Sequence, residues 1–368
     1  MRVLIAGGGT GGHIYPAVAI ANRMKEEIKN VEIMFVGTKK GLESELVPKA
    51  GYPFKTITVS GFKRKLSPDT LKSFKDLFVG IVDAARVIKE FKPDLVIGTG
   101  GYVCGPVLFI ASLLNIKTVI HEQNVIPGVT NRILSKFVHR ILVSFEESKD
   151  YFNNSNKIVV TGNPIRKDFF LLDKEQCRKD LRISETQLVI LSFGGSRGAE
   201  KLNEMMLKVI KKYNGREDVC IIHCTGNNHY ENTLRDLNTN QIVLSKNIRI
   251  KEYIHDIPQY MAAADLVICR SGAITLAEIT AVGLPAILIP SPYVTNNHQE
   301  YNARVLEKNG AAVLLLEKDI NDKNIVELLN LLLKDKERLK EMGMKSRNLS
   351  KMNATDLIYD NIIQLLNA

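Results

Sequence analysis

The sequence predicts an α/β protein of two Rossmann-like domains, with parallel sheets facing each other across a cleft. Three observations carry that prediction. Short apolar runs alternate with amphipathic helical patterns, which is how the strands of a parallel sheet covered on both faces read. The alternation restarts beyond Val159-Val160-Thr161-Gly162-Asn163-Pro164. The chain's 368 residues also exceed what one hydrophobic core usually serves, about 250–300 residues.

In chain order, strands are expected at residues 3–6, 32–36, 95–97, 118–120 and 141–143, with helices between them. A domain boundary falls near Asn163-Pro164, because the residue before a proline is biased to extended geometry. Residues 1–163 then form the first domain and 164–349 the second. In the second, residues 187–193 open a new series, continued at 219–224, 266–269 and 286–289. The amphipathic segment 356–366, within a C-terminal helix of about 350–368, is expected to pack back on the first domain.

With 45% hydrophobic and 24% charged residues and no low-complexity tract, the composition excludes a disordered chain. The net charge of +10 is uneven: residues 1–163 hold 22 basic and 14 acidic side chains, the remainder 28 and 26. A basic first half suits nucleic acid, phosphates or an anionic membrane surface, or is a lysine-rich surface with no such partner. The five cysteines, Cys104, Cys177, Cys220, Cys224 and Cys269, form an odd set without ligand spacing. Cys220 and Cys224 flank His223 on one strand-like run, too far apart for a tight chelate, and read as buried thiols of a reducing compartment. The N-terminus reads as a buried strand running into glycines, not as a signal peptide. No stretch of about twenty apolar residues follows, so neither secretion nor a membrane span is expected.

The residues suited to chemistry gather in glycine loops at strand ends. Gly7-Gly8-Gly9-Thr10-Gly11-Gly12-His13 carries the spacing G-x-G-x-x-G before a helical pattern over 17–24. Such glycines let a phosphate approach backbone N–H groups at a helix N-terminus. A dinucleotide enzyme would close its second strand with an acidic residue for the ribose. Here Val36 is followed by Gly37-Thr38-Lys39, which argues against that reading. A second loop runs Thr99-Gly100-Gly101-Tyr102-Val103-Cys104-Gly105-Pro106, and a third, Gly194-Gly195-Ser196-Arg197-Gly198, lies in the second half. Each alone is also what an ordinary strand-to-helix turn contains; three together imply a cleft lined by backbone donors. After the strand at 266–269, Gly272 to Thr275 should open a helix toward an anion, and Glu278 lies one turn further in. A carboxylate there can accept both hydroxyls of a ribose, so the spacing describes a nucleotide, unless Glu278 only stabilises its helix N-terminus.

The segments GGGTGGH, TGGY, HEQN (His121 to Asn124), GNPIR (Gly162 to Arg166), FGGSRGA, RSGAITLAE and NNHQEYNA (Asn296 to Ala303) occur in order along the whole chain. Together they resemble the MurG family of peptidoglycan N-acetylglucosaminyltransferases. The resemblance implies a GT-B fold and no bound metal or other cofactor. It implies transfer of N-acetylglucosamine, with inversion, from UDP-N-acetylglucosamine (UDP-GlcNAc) to the muramic acid 4-hydroxyl of undecaprenyl-diphospho-N-acetylmuramoyl pentapeptide (lipid I), giving lipid II. The donor site it implies comprises Ser196, Ile254, Ala273, Ile274, Thr275, Leu276, Ala277, Glu278 and Gln299, with Arg166 at the domain junction. Thr10, Gly11, Gly12 and Asn124 would complete it from the first domain, while Gly9, Thr10, Gly12, His13, Gly100, Gly101 and Tyr102 would meet the acceptor diphosphate. The residue types suit these roles: Arg166 offers a planar guanidinium to a diphosphate, and Gln299 can both give and accept hydrogen bonds to sugar hydroxyls.

An inverting transfer needs a base for the acceptor hydroxyl. His13 is the candidate, an imidazole where a glycine loop meets a helix start, although it could instead orient the loop or bind the acceptor diphosphate. Glu122 is the spare candidate. Without a metal, helix dipoles and Arg166 must stabilise the departing diphosphate. A prenyl-tailed acceptor further implies a peripheral protein on the cytoplasmic face of the bacterial cell membrane. Lys63, Arg64, Lys65, Lys72 and Lys75 oppose Asp69 alone, beside Leu71, Phe74, Leu77, Phe78 and Ile81 at helical spacing. That pattern fits anionic inner-membrane lipid with shallow insertion, although such a stripe is commonly core. A UDP-GlcNAc 2-epimerase would need no lipid-facing patch and fits the motifs poorly. A nucleic-acid partner is disfavoured, since no recognised nucleic-acid module is present.

Overall fold

The computed structural model describes residues 1–61, 68–153 and 155–368, with the backbone alone for 68–74, 155, 322 and 323. It divides into two compact units, Met1–Ile165 with Asn353–Ala368, and Arg166–Met352.

The first unit is a sheet of seven parallel strands: β1 (Arg2–Ala6), β2 (Glu32–Gly37), β3 (Phe54–Thr56), β4 (Leu95–Gly98), β5 (Lys117–Glu122), β6 (Arg140–Val143) and β7 (Ile158–Val160), in the order β3-β2-β1-β4-β5-β6-β7. Helices α1 (Gly11–Glu27), α2 (Glu43–Lys49), α3 (Pro68–Phe91), α4 (Cys104–Leu113) and α5 (Val129–Leu134) connect them. β1 shows why these strands read as unbroken apolar runs. Val3 and Ile5 pack with Ile14, Ile20 and Met24 of α1, while Leu4 and Ala6 pack with Val87 and Ile88 of α3 and Leu108 of α4. Both faces are dry, so the alternation that marks a one-sided sheet is absent. The C-terminal helix Ala354–Asn367 adds Ile358, Ile362 and Leu365 to the α1 side, and Arg23 of α1 pairs with its Asp356 at 2.9 Å.

The second unit has six parallel strands: β8 (Leu188–Phe193), β9 (Val219–Cys224), β10 (Ile248–Lys251), β11 (Leu266–Cys269), β12 (Ala286–Leu288) and β13 (Ala312–Leu314), in the order β10-β9-β8-β11-β12-β13. Its helices are α6 (Asp168–Leu171), α7 (Lys174–Asp180), α8 (Glu200–Tyr213), α9 (Tyr230–Thr239), α10 (Ile257–Ala263), α11 (Ala273–Val282), α12 (His298–Lys308), α13 (Asp322–Lys334) and α14 (Lys336–Asn348). Met206, Val209, Ile210 and Tyr213 of α8 close over Ile190, Ile221 and Ile268 together with Leu329 and Leu332 of α13.

The four edge strands, β3, β7, β10 and β13, lie outside the expected set. Each spans three or four residues and pairs along one side only. In both sheets the order reverses beside the unit's first strand, between β1 and β4 and between β8 and β11. Connections leave such a point in opposite directions, so the crevice beyond the strands' carboxyl ends stays uncovered. No helix among the described residues is long and apolar enough to cross a membrane.

Ile362 is wholly buried. Truncating it to Ala should lower the stability of the first unit by about 2–5 kcal/mol; an unchanged thermal melt would show that the C-terminal helix adds nothing to that core.

Candidate functional site

In the first unit, β1 and β4 run in register with Ala6 opposite Gly98. The loop of residues 7–13 therefore leaves beside the loop of residues 99–103. The two loops are bonded to each other: Gly8 N–H donates to the Gly100 carbonyl at 3.2 Å. Gly101, at φ +86°, lies so close that a Cβ would sit 2.4 Å from the Gly8 oxygen, so only glycine permits this approach. Beneath them the Cys104 thiol accepts from Gly100 N–H at 3.2 Å and donates to the Ala6 carbonyl at 3.1 Å. Burial pushes this thiol up to about 12, which keeps it the neutral donor those bonds require.

Helix α1 begins at Gly11 with Thr10 as its N-cap. His13, in its first turn, places Nδ1 2.8 Å from the Gly8 carbonyl. A carbonyl only accepts, so Nδ1 carries a proton and Nε2 is the ring's other nitrogen, turned away from this bond. Gly9 and Gly100, both expected to meet an acceptor diphosphate, have their N–H groups bonded within the chain. Gly100 N–H is held by Cys104, and Gly9 N–H by a carboxylate that sequence reasoning missed, Glu43. The His13 and Ile14 N–H groups return to the Thr10 carbonyl. The donors left at this helix start are those of Thr10, Gly11 and Gly12, with the exposed Tyr102 ring against Gly9.

Glu43 is 1% exposed. Its Oε2 accepts from Gly9 N–H at 3.0 Å, and its Oε1 from Thr38 N–H at 2.9 Å and Thr38 Oγ1 at 2.8 Å. Burial works to raise its carboxyl, but the bonds from Gly9 and Thr38 outweigh it and hold the group below the ordinary value.

The spare base, Glu122, is likewise bonded within the chain. It is buried with both oxygens filled, Oε1 by the Asn124 N–H (3.0 Å) and Nδ2 (3.2 Å), Oε2 by the Gly128 N–H (3.0 Å) and Asn131 Nδ2 (2.9 Å). It anchors the loop that carries Asn124 and has no oxygen left for a substrate proton. The neighbouring motif residues form a buried network. His121 Nε2 lies 3.0 Å from the Gly162 carbonyl, so it is the protonated nitrogen, and Nδ1 accepts from Gln123 Nε2 at 3.0 Å. Gln123 also donates to the Thr99 carbonyl (2.9 Å), Asn163 donates to the Gln123 carbonyl (3.1 Å), and Ser144 donates to Asn163 Oδ1 (2.8 Å). The carboxyl ends of β4, β5, β6 and β7 are thereby tied together. Burial lowers the His121 pKa, which keeps the imidazole neutral as this network needs.

In the second unit, Phe193 of β8 lies opposite Cys269 of β11. The loop of residues 194–198 and the segment Arg270-Ser271-Gly272 leave from these adjacent ends. Gly198, at φ +81°, could carry no Cβ, which would fall 2.0 Å from the Thr225 carbonyl, and Ser196 at the loop tip is exposed. Helix α11 starts at Ala273 with Gly272 as N-cap and no side-chain cap. Its first-turn N–H groups, including those of Ile274 and Thr275, have no intrahelical acceptor. Leu276 is buried in the core and Ala277 is half-buried on the helix. Glu278, one turn in, is half-buried; burial pushes its carboxyl up to about 7, against the pull of the Arg166 guanidinium. Arg166 is exposed and stacks over Phe169 at 5.5 Å.

Gln299 joins this group through its main chain and side chain. Its carbonyl accepts from Ser271 Oγ at 2.8 Å, and its Oε1 accepts from Ser291 N–H at 2.9 Å. Buried Asn302 donates to the Ser271 carbonyl at 3.3 Å, fixing α12 against the α11 entry. Arg270, by contrast, is occupied internally with the Ile289 and Pro290 carbonyls and with Glu317 at 2.6 Å. Ile254 is buried in the loop just beyond β10.

Among the surface residues, Lys63, Arg64 and Lys65 lie outside the described residues, as do the side chains of Leu71, Lys72 and Phe74. Lys75 is exposed, and Phe78 is 69% exposed with Val82 one turn further along α3 at 45%. Among the described residues no group of three or more His, Cys, Asp or Glu side chains is arranged to hold a metal ion. His223, between Cys220 and Cys224, is wholly buried, and burial pushes its imidazole down to about 4.

Residues 3–143 match the glycosyltransferase family 28 N-terminal domain and residues 189–358 the glycosyltransferase family 28 C-terminal domain. A relative from Thermoanaerobacter sp. is 53% identical over 98% of both chains, and bears the name UDP-N-acetylglucosamine–N-acetylmuramyl-(pentapeptide) pyrophosphoryl-undecaprenol N-acetylglucosamine transferase. A relative of the same name from Clostridioides difficile is 48% identical over 100% of this chain and 90% of its own. The crystal structure of Acinetobacter baumannii MurG superposes with a TM-score of 0.79 at 31% identity, over 99% of both chains. The Neisseria meningitidis UDP-GlcNAc 2-epimerase reaches 0.69 at 16% identity, over 99% of this chain and 100% of its own, a likeness of fold alone.

If ligand hydroxyls donate to Glu278, whose carboxyl burial pushes up to about 7, they meet it in its ionised form. Affinity for a nucleotide sugar such as UDP-GlcNAc should therefore rise about tenfold from pH 6 to pH 8. Calorimetry across that range checks it, with Glu278→Gln expected to bind weakly and without the slope.

Proposed function

The chain belongs to glycosyltransferase family 28, and on that footing we infer that it moves N-acetylglucosamine from UDP-GlcNAc to the 4-hydroxyl of the muramic acid of lipid I, forming lipid II and releasing UDP. The observation that carries the donor half is the gathering of Arg166, the uncapped α11 start, Glu278 and Gln299 at one switch point. A nucleoside diphosphate sugar presents matching groups: two phosphates for the helix N-terminus and guanidinium, ribose hydroxyls for Glu278, and sugar hydroxyls for Gln299. Ser196 and the backbone at Ile254 would meet the phosphate and uracil ends.

In the reaction, the acceptor oxygen forms its bond to the anomeric carbon as the bond from that carbon to UDP breaks. The hydroxyl proton goes to His13 Nε2, the ring being held by Nδ1–H on the Gly8 carbonyl. The charge that develops on the leaving diphosphate is met by the α11 dipole and Arg166. The acceptor diphosphate takes the open donors of Thr10, Gly11 and Gly12, with Gly101 shaping the floor and Tyr102 the rim.

The membrane reading is supported by the outward face of α3, where Phe78 and Val82 lie between the exposed cations Lys75 and Arg86. α3 packs on α4 and α4 on α5, and these helices with the turn that follows also expose Leu113, Leu114, Ile133 and Phe137. Apolar side chains flanked by cations favour an anionic bilayer surface, here the cytoplasmic face of the cell membrane.

Replacing His13 by Ala should leave UDP-GlcNAc binding intact and lower turnover about 100-fold or more; near-normal kcat would remove His13 from the base role. Replacing Phe78 and Val82 together by Ser should weaken sedimentation with anionic liposomes and spare activity on a soluble lipid I analogue. Undiminished sedimentation would rule out this face.

A further inference from the structure

We propose that Glu43 is a positioning residue for the acceptor end of the reaction: through Gly9 it sets the shape of the first glycine loop, and through that loop the imidazole of His13. The proposal rests on the reading that this loop meets the acceptor. The path from carboxylate to ring is short. Glu43 Oε2 holds Gly9 N–H at 3.0 Å, and the adjacent Gly8 carbonyl holds His13 Nδ1 at 2.8 Å. The other carboxylate oxygen is fixed by the N–H and hydroxyl of Thr38, at the end of β2, so the group is braced against the sheet.

The surroundings are shaped for a carboxylate. A Cβ at Gly8 would lie 2.7 Å from the Glu43 carboxyl carbon, one at Gly37 2.3 Å from its Cγ, and one at Gly41 2.2 Å from its Oε1. Burying an ionised group is costly, and a residue that merely filled this space would be apolar. What the charge supplies is an acceptor for two backbone N–H groups at once, one on the loop and one on the sheet. Gly9 itself is exposed at φ +86° while the carboxylate beneath it is sealed from solvent. The loop therefore turns the Gly9 donor inward and leaves those of Thr10, Gly11 and Gly12 for an anionic acceptor.

A glutamine at position 43 has one oxygen and one NH2 group, so it can satisfy Thr38 or Gly9 but not both. Steady-state kinetics on the intact chain, with a soluble lipid I analogue and UDP-GlcNAc, distinguishes positioning from simple folding. Glu43→Gln should raise the acceptor KM and lower kcat/KM for the acceptor up to about 100-fold, while the Kd for UDP stays unchanged. Gly8→Ala, whose methyl would displace the carboxylate without removing its charge, should act in the same direction, and it decides the question alone if Glu43→Gln does not fold. In the Glu43→Gln/His13→Ala double variant the losses should not multiply, because both act through one loop. Losses that multiply in the double variant, the mark of two independent effects, would overturn the proposal. So would wild-type kinetics. Absence of transfer by the wild type would overturn the reading beneath it, and the proposal with it.

Discussion

The reversal of strand order in each parallel sheet is the constraint on which the rest depends. A parallel strand must be followed by a crossover, and crossovers normally cover the strand ends. Only where two neighbouring connections depart to opposite sides does the backbone at the carboxyl edge stay open. That happens between β1 and β4 and again between β8 and β11. The glycine loops stand at these two places, and most polar residues assigned to a substrate lie on a segment leaving one of the strand ends beside them or are bonded to such a segment, while Asn124 and Arg166 follow β5 and β7.

The two edges are finished differently, and the difference suits different ligands. In the second unit the helix start is uncapped, with a guanidinium and a carboxyl beside it, which leaves donors and acceptors for a nucleoside diphosphate. In the first unit much of the loop's hydrogen-bonding capacity is already used. Gly8, Gly9 and Gly100 are bonded to Gly100, Glu43 and Cys104, and the network from Thr99 through Gln123 to Asn163 locks the strand ends behind them. A rigid loop with few open donors and one fixed imidazole suits the delivery of a hydroxyl to an electrophile held elsewhere.

The architecture was legible because apolar strands that run into glycine loops leave strong local signals. The edge strands were not, since three residues such as Phe54-Lys55-Thr56 look the same in a loop and gain their pairing only from β2. Of the motif HEQN, the sequence offered Asn124 to the donor and Glu122 as a spare base; His121, Glu122 and Gln123 are buried and bonded to the loops around them. Sequence alone does not separate a ligand-facing polar residue from one that satisfies backbone groups beneath it. Glu43 was invisible for the same reason. It stands among Glu and Lys residues that read as the outer face of a short helix, and its partner Gly9 is 34 positions away.

Hydrogen–deuterium exchange of the intact chain, measured with saturating UDP and then with an added lipid I analogue, tests the assignment of one ligand to each edge most directly. The account predicts that UDP alone slows exchange at residues 194–198, 270–278 and around Gln299, and leaves residues 7–13 unchanged until the acceptor arrives. Protection of residues 7–13 by UDP alone, with none at 270–278, would contradict it.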